Sequence, residues 1–252
     1  MTAYDLILLA YGMACVFGAA IVRGYSGFGF SLLAITALSL AMEPKEIVPA
    51  IFMMEIAASL HLLPSIWREI HWRSIALLLV GCIVATPFGV WILASVPAAP
   101  LKIGLAIAVT IATFLLWRGF RLERTPGPAA TIVTGGVSGL LNGSLGIAGP
   151  PVILFYFSSP AAVNVGRASM IAYFLGTDVT GLAFMAPHEL INSSTLIRFA
   201  TFLPVLLFGV WIGARSFRNA DPAAFRRWVL IILFAMSALT GLKSLFEIAQ
   251  SS

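Results

Sequence analysis

The chain has 252 residues, 60% of them hydrophobic and 10% charged, with a net charge of +5 and a mean hydropathy of +1.00. A soluble domain carries about 25% charged residues, so this composition excludes one, and the alternating pattern of a membrane β-barrel is missing. The excess positive charge sits in short loops between apolar segments, as the positive-inside bias requires, and does not point to nucleic acid.

The first apolar stretch runs from Tyr4 to Val22 and reads as a retained helix, since Met1 to Asp5 lack the basic start of a cleaved leader. A glycine-rich break follows, Arg23-Gly24-Tyr25-Ser26-Gly27-Phe28-Gly29, then a shorter apolar piece from Phe30 to about Met42. Three further segments are expected near Ile47–Leu63, Ser74–Ser95 and Leu101–Trp117. A polar linker, Arg118 to Pro128, ends this series. The plan then repeats. An apolar piece from Ala129 to Leu141 meets a second break, Asn142-Gly143-Ser144-Leu145-Gly146-Ile147-Ala148-Gly149-Pro150-Pro151, and a short piece continues to Phe157. Segments near Arg167–Ala186, Leu196–Arg215 and Trp228–Phe246 complete it.

The pentapeptide Phe-Gly-Val-Trp-Ile marks the duplication: it occurs at Phe88–Ile92 and again at Phe208–Ile212. Its offset of 120 agrees with the offset of about 119 that aligns Gly24 with Gly143 and Gly27 with Gly146. The expected organisation is repeat 1 over 1–120, a cytoplasmic linker over 121–128 and repeat 2 over 129–252, forming one membrane domain. If each break is the tip of a re-entrant hairpin, ten Lys and Arg residues fall on one side of the membrane and four on the other; single kinked spans give seven against seven. The positive-inside bias selects the hairpin. Each repeat then crosses an odd number of times, so the expected fold is all-α and polytopic. Its two repeats are inverted, each a broken hairpin plus three transmembrane helices, with both termini outside the cytoplasm.

Broken helices leave backbone N–H and C=O groups that survive in lipid only where they are buried or line a polar cavity. Helix N-termini at such breaks suit an anion. Candidate substrate-binding residues are therefore Arg23, Gly24, Tyr25, Ser26, Gly27, Asn142, Gly143, Ser144 and Gly146, with Arg167 as a second cationic ligand. The alternative for the glycines is close helix packing, and for Arg23 a snorkelling position near the interface. Glu55 and Asp178 lie inside spans, where a charge is costly. Each is a candidate proton-coupling residue, or else a structural acid paired with Arg. His61, His71 and His188 sit near segment ends without metal-ligand spacing, and Trp67, Trp72, Trp117 and Trp228 fit an aromatic belt. Cys15 and Cys82 lie in apolar segments and suggest neither disulfide nor metal site. No cofactor is expected, and no ATP-binding motif is present, so an ion or substrate gradient would supply the energy. Gly24-Tyr25-Ser26-Gly27 resembles the nucleophile motif of rhomboid proteases, but no histidine lies mid-segment to act as base. An enzyme is not expected.

The two breaks together resemble the TauE/SafE family of sulfite and organosulfur anion permeases. The resemblance rests on Gly24-Tyr25-Ser26-Gly27-Phe28-Gly29, on the stretch Gly139 to Pro151, and on Pro87-Phe88-Gly89 with Phe208-Gly209, and it spans nearly the whole chain. Where family members often carry consecutive glycines, this chain has Phe30 and Ser31. The resemblance implies a secondary transporter of a small sulfur-containing anion in the cytoplasmic membrane. Its partners would be that anion, the lipid bilayer and protons, with homo-oligomerisation left open. An anion channel of the same architecture is the alternative.

Overall fold

The computed structural model describes residues 3–118, 126–158, 163–216, 238 and 242. The expected last segment, Trp228–Phe246, apart from Ala238 and Leu242, most of the linker, and the belt residues Trp117 and Trp228 lie outside the described side chains. What is described is helical, with no strand: α1 (Ala3–Ser26), α2 (Phe30–Leu38), α3 (Pro44–Ile66), α4 (Trp72–Ser95), α5 (Ala98–Trp117), α6 (Pro128–Leu145), α7 (Gly149–Ser158), α8 (Val163–Met185) and α9 (Ser193–Ser216). Pro44 and Pro128 open their helices, where the missing N–H costs no hydrogen bond.

Among the described residues, five helices are long and apolar enough to cross a membrane: α1, α3, α4, α8 and α9. By contrast α2 and α7, with 9 and 10 residues, reach only about 15 Å against a hydrocarbon core of about 30 Å. The hydroxyl of Tyr11 on α1 donates to the Ala37 carbonyl near the end of α2 (2.7 Å), so α2 folds back alongside α1.

Both breaks are narrower than the sequence suggests. Helix α1 runs through Arg23, Gly24 and Tyr25 to Ser26, and α6 runs through Asn142, Gly143 and Ser144 to Leu145. The turns themselves are Gly27–Gly29 and Gly146–Ala148. Gly27 and Gly29 (φ 79° and 90°) and Gly146 (φ 73°) hold the left-handed conformation that glycine adopts without penalty. Glycine is tolerated inside a membrane helix where a neighbouring backbone comes close, and that is what extends the helices. A Cβ on Gly143 would lie 2.6 Å from the Thr86 carbonyl and 2.8 Å from the Val90 amide of α4, while Gly24 abuts the α9 backbone at Val210 and Ala214.

The principal contacts cross between the halves of the chain: α4 packs along α6, α1 along α9, and α3 meets α8 between them. Exchanging the halves swaps the α4–α6 and α1–α9 pairs and maps the α3–α8 pair onto itself. The repeated pentapeptide behaves identically in both places. Gly89 faces the α6 backbone and Gly209 faces α1 at Phe17 and Ala20, while Phe88, Trp91, Phe208 and Trp211 point outward. Such outward apolar side chains suit lipid, and the glycines allow close helix approach. At one end of the bundle, exposed Trp67 and Trp72 pack against each other (4.8 Å between ring centroids).

Candidate functional site

Arg23 lies in the last turn of α1, and its side chain is fully buried (0% exposed). The guanidinium reaches three elements. Nη1 donates to the Gly27 carbonyl of the first break (2.6 Å), and Nη2 donates to Ser59 Oγ (2.7 Å) and pairs with Glu55 Oε2 (3.0 Å), both on α3. Its flat face lies over the Phe174 ring of α8 at 5.2 Å. This geometry rules out snorkelling: Arg23 is an internal, charge-assisted node.

Glu55 completes that node. Its other oxygen, Oε1, accepts from the Ser31 amide (3.2 Å) and the Ser31 hydroxyl (2.6 Å). Ser31 is the second residue of α2, so a carboxylate sits at the N-terminus of that short helix, where free N–H groups and the helix dipole favour negative charge. Glu55 is thus paired with Arg23 and anchored on the start of α2.

The second half contributes a different surface. Asp178 of α8 is buried beside Glu55, Arg23 and the Asn142 carboxamide, and its Oδ2 has no hydrogen-bond partner among the described residues. Asn142 Nδ2 donates to the Thr177 carbonyl (3.2 Å), while its Oδ1 is also without a partner among them. Helix α7 starts Gly149-Pro150-Pro151, and proline has no N–H. The N-terminus of α7 is therefore poor in donors, whereas that of α2 is intact.

These pieces meet in one small cavity lined by Gly29, Ser31 and Glu55 on one side and Ile147, Ala148, Gly149 and Asp178 on the other, with Phe174 at its wall. It has room for roughly one water molecule. Residues of both breaks and both acids thus line one small cavity.

The remaining sequence candidates fall into three groups. Arg167 Nη2 donates to the Gly24 carbonyl (2.9 Å), and its stem lies against Gly27, so a second guanidinium borders the first break. Ser26 turns its hydroxyl to the Val22 and Phe28 carbonyls (2.7 Å each), closing the turn, and Ser144 donates back to Leu140 of its own helix (2.7 Å). Gly24 and Gly143 face α9 and α4, Gly27 and Gly146 make the turns, and Tyr25 is buried beside the α9 backbone at Gly213. His71 stands at the start of α4, where its Nδ1 accepts from the Ser74 amide (3.3 Å) and its own amide donates to Ser169 Oγ (2.9 Å). Three contributors escape the sequence reading: Ser31, Ser59 and Phe174. Ser59 lies four residues after Glu55, and Phe174 four before Asp178, the spacing that puts two side chains on one helix face.

Comparison with known proteins agrees with a transporter. The family model described as sulfite exporter TauE/SafE matches residues 12–240. The chain is 24% identical over 244 residues to the "Probable sulfite/organosulfonate exporter TauE" of Cupriavidus necator, covering 93% of this chain and 94% of that protein. It is 25% identical over 178 residues to the "Probable inner membrane transporter protein TsaS" of Comamonas testosteroni, covering 67% and 72%. No solved structure matches the chain.

Proposed function

The chain belongs to the sulfite exporter TauE/SafE family, and from that membership and the buried charged centre we propose that it is a secondary transporter of a small sulfur-containing anion, sulfite or a sulfonate. The observation that carries the reading is that both helix breaks and the α2 N-terminus border one small cavity, with Arg23 held beside it through its ion pair with Glu55. A membrane protein keeps a fully buried guanidinium for a reason, and a planar fork of donors matches an oxyanion. The two relatives, one named for sulfite and organosulfonate export and one as an inner membrane transporter, support the same class and an inner-membrane location.

In this reading the anion binds nearer the first break than the second. Arg23, Ser31 and the α2 amides are its ligands; Arg167 at Gly24 adds positive potential; Asn142 and the turns at Gly27 and Gly146 shape the cavity. Gly24, Tyr25, Ser26, Gly143 and Ser144 hold the two helix ends in place. The cavity is too small for sulfite, so transport requires it to widen and to open to each side in turn. Because α1 is packed on α9 and α4 on α6, the moving parts would be the α2–α3 and α7–α8 segments against those pairs, rather than one repeat against the other. Repeat 1 (1–120) and repeat 2 (129–252), joined by a cytoplasmic linker (121–128), would run in opposite senses.

Two measurements test this. Purified protein in liposomes should show saturable, labelled sulfite or sulfonate uptake with counterflow; a large anion current without counterflow would instead establish a channel. A cysteine in place of Ser252 in a Cys15→Ala, Cys82→Ala background should react with an impermeant reagent from the non-cytoplasmic side. Reaction from the cytoplasm alone would overturn the inverted arrangement.

A further inference from the structure

The donors that suit an anion are already occupied. Glu55 places one oxygen on Arg23 and the other on the Ser31 amide and hydroxyl, so a tethered carboxylate fills the α2 N-terminus. The cavity beside it has room for roughly one water. A substrate anion cannot join this arrangement, because two desolvated negative charges would share one buried guanidinium.

We propose that Glu55 is a built-in surrogate for the transported anion, and that the substrate takes the seat of Arg23, Ser31 and the α2 N-terminus only as Glu55 leaves it carrying a proton. The inference rests on the transporter reading above. One O–H bond forms on the Glu55 carboxylate with a proton from solvent, and no electron moves. Arg23 exchanges one anion for another, so a monoanion and a proton enter together and the buried charge is unchanged.

The structure also holds a place for the displaced acid. A protonated carboxyl has an O–H to donate. Across the same cavity stands Asp178, 2% exposed, with Oδ2 unpartnered among the described residues. The N-terminus of α7 on that side, with Pro150 and Pro151, has few amides to compete for Asp178. The anion seat and the proton seat are thus opposite walls of one cavity. Of the charged groups on elements packed around α3, Arg23 and Asp178 face Glu55, and Arg167 adjoins Arg23. Arg198 of α9 is taken up by Glu46 near the start of α3, Lys102 is buried on α5, and Cys82 of α4 lies beside Tyr173 and Asp178.

The test uses the full-length protein in detergent with methanesulfonate, whose charge is constant through the working pH range, and sulfite as a second probe. Calorimetry in two buffers of different ionisation enthalpy counts protons taken up on binding. The expected result is about one proton per methanesulfonate, with affinity falling about tenfold per pH unit wherever the free protein holds Glu55 charged, and levelling at lower pH. Glu55→Gln should bind with no proton uptake and no pH slope. Wild-type binding without proton uptake overturns the inference and leaves the transporter reading standing, whether or not the variant folds. Proton uptake that persists in a folded Glu55→Gln protein overturns the role of Glu55. Folded wild-type protein that binds neither probe rejects the transporter reading, and this inference with it.

Discussion

Arg23→Met is expected to abolish anion transport and to destabilise the fold by about 3–5 kcal/mol, the penalty for leaving one partner of a buried ion pair alone. The substitution strands Glu55, with Asp178 already close by, and removes the donors that hold the Gly27 carbonyl and Ser59. Adding Glu55→Met should restore most of the stability, because two apolar side chains then replace two charges. Transport should not return, since the anion ligand is still missing. A drop on the order of a hundredfold or more in uptake is expected for losing a buried charge-assisted contact. Denaturant titration in mixed micelles reads the stability and proteoliposome uptake reads the function. A double variant that transports would exclude Arg23 as an anion ligand.

Gly143→Val is expected to prevent α4 and α6 from assembling. Its Cβ would meet the backbone of Thr86 and Val90, which cannot rotate away as a side chain does, so the helices must separate along their length. Overpacking of this kind costs about 3 kcal/mol, enough to remove most of a marginal stability. Gly18→Leu is the matched control: it lies on the exposed face of α1, with nothing within 4 Å of its Cβ position. The readout is the yield of monodisperse protein by size-exclusion chromatography, wild-type-like for Gly18→Leu and near zero for Gly143→Val. Equal yields would mean that α4 and α6 are not in backbone contact.

Most of the helices were legible because a span must be long and apolar whatever it packs against. The expected cores near Ile47–Leu63 and Ser74–Ser95 fall within α3 and α4, whose ends extend them by a few residues. The extent of the breaks was not legible, since several glycines stand in each and only a tertiary contact decides which stays helical. Gly24 is helical because α9 lies against it, whereas Gly27 and Gly29 turn. The charged centre was half legible. Arg23, Glu55 and Asp178 stand out as charges inside apolar segments, but their pairing joins α1 to α3 across 32 positions and depends on the direction of α2. Ser31 carried a quieter signal as the residue standing where glycine is usual. The difference between the two breaks was written in Pro150 and Pro151, which remove the amides that an anion would need.

The packing of α1 on α9 also sets a timetable for making the protein. Roughly 170 residues separate the end of α1 from the start of α9, and at about 5–20 residues per second the ribosome needs on the order of ten to thirty seconds to deliver them. During that interval the face of α1 at Gly24 waits in the bilayer without its partner, and a nascent chain stopped before α9 never covers it. The α1–α9 contact therefore forms only as about the last quarter of the chain is made, and it is the late, non-local step of assembly.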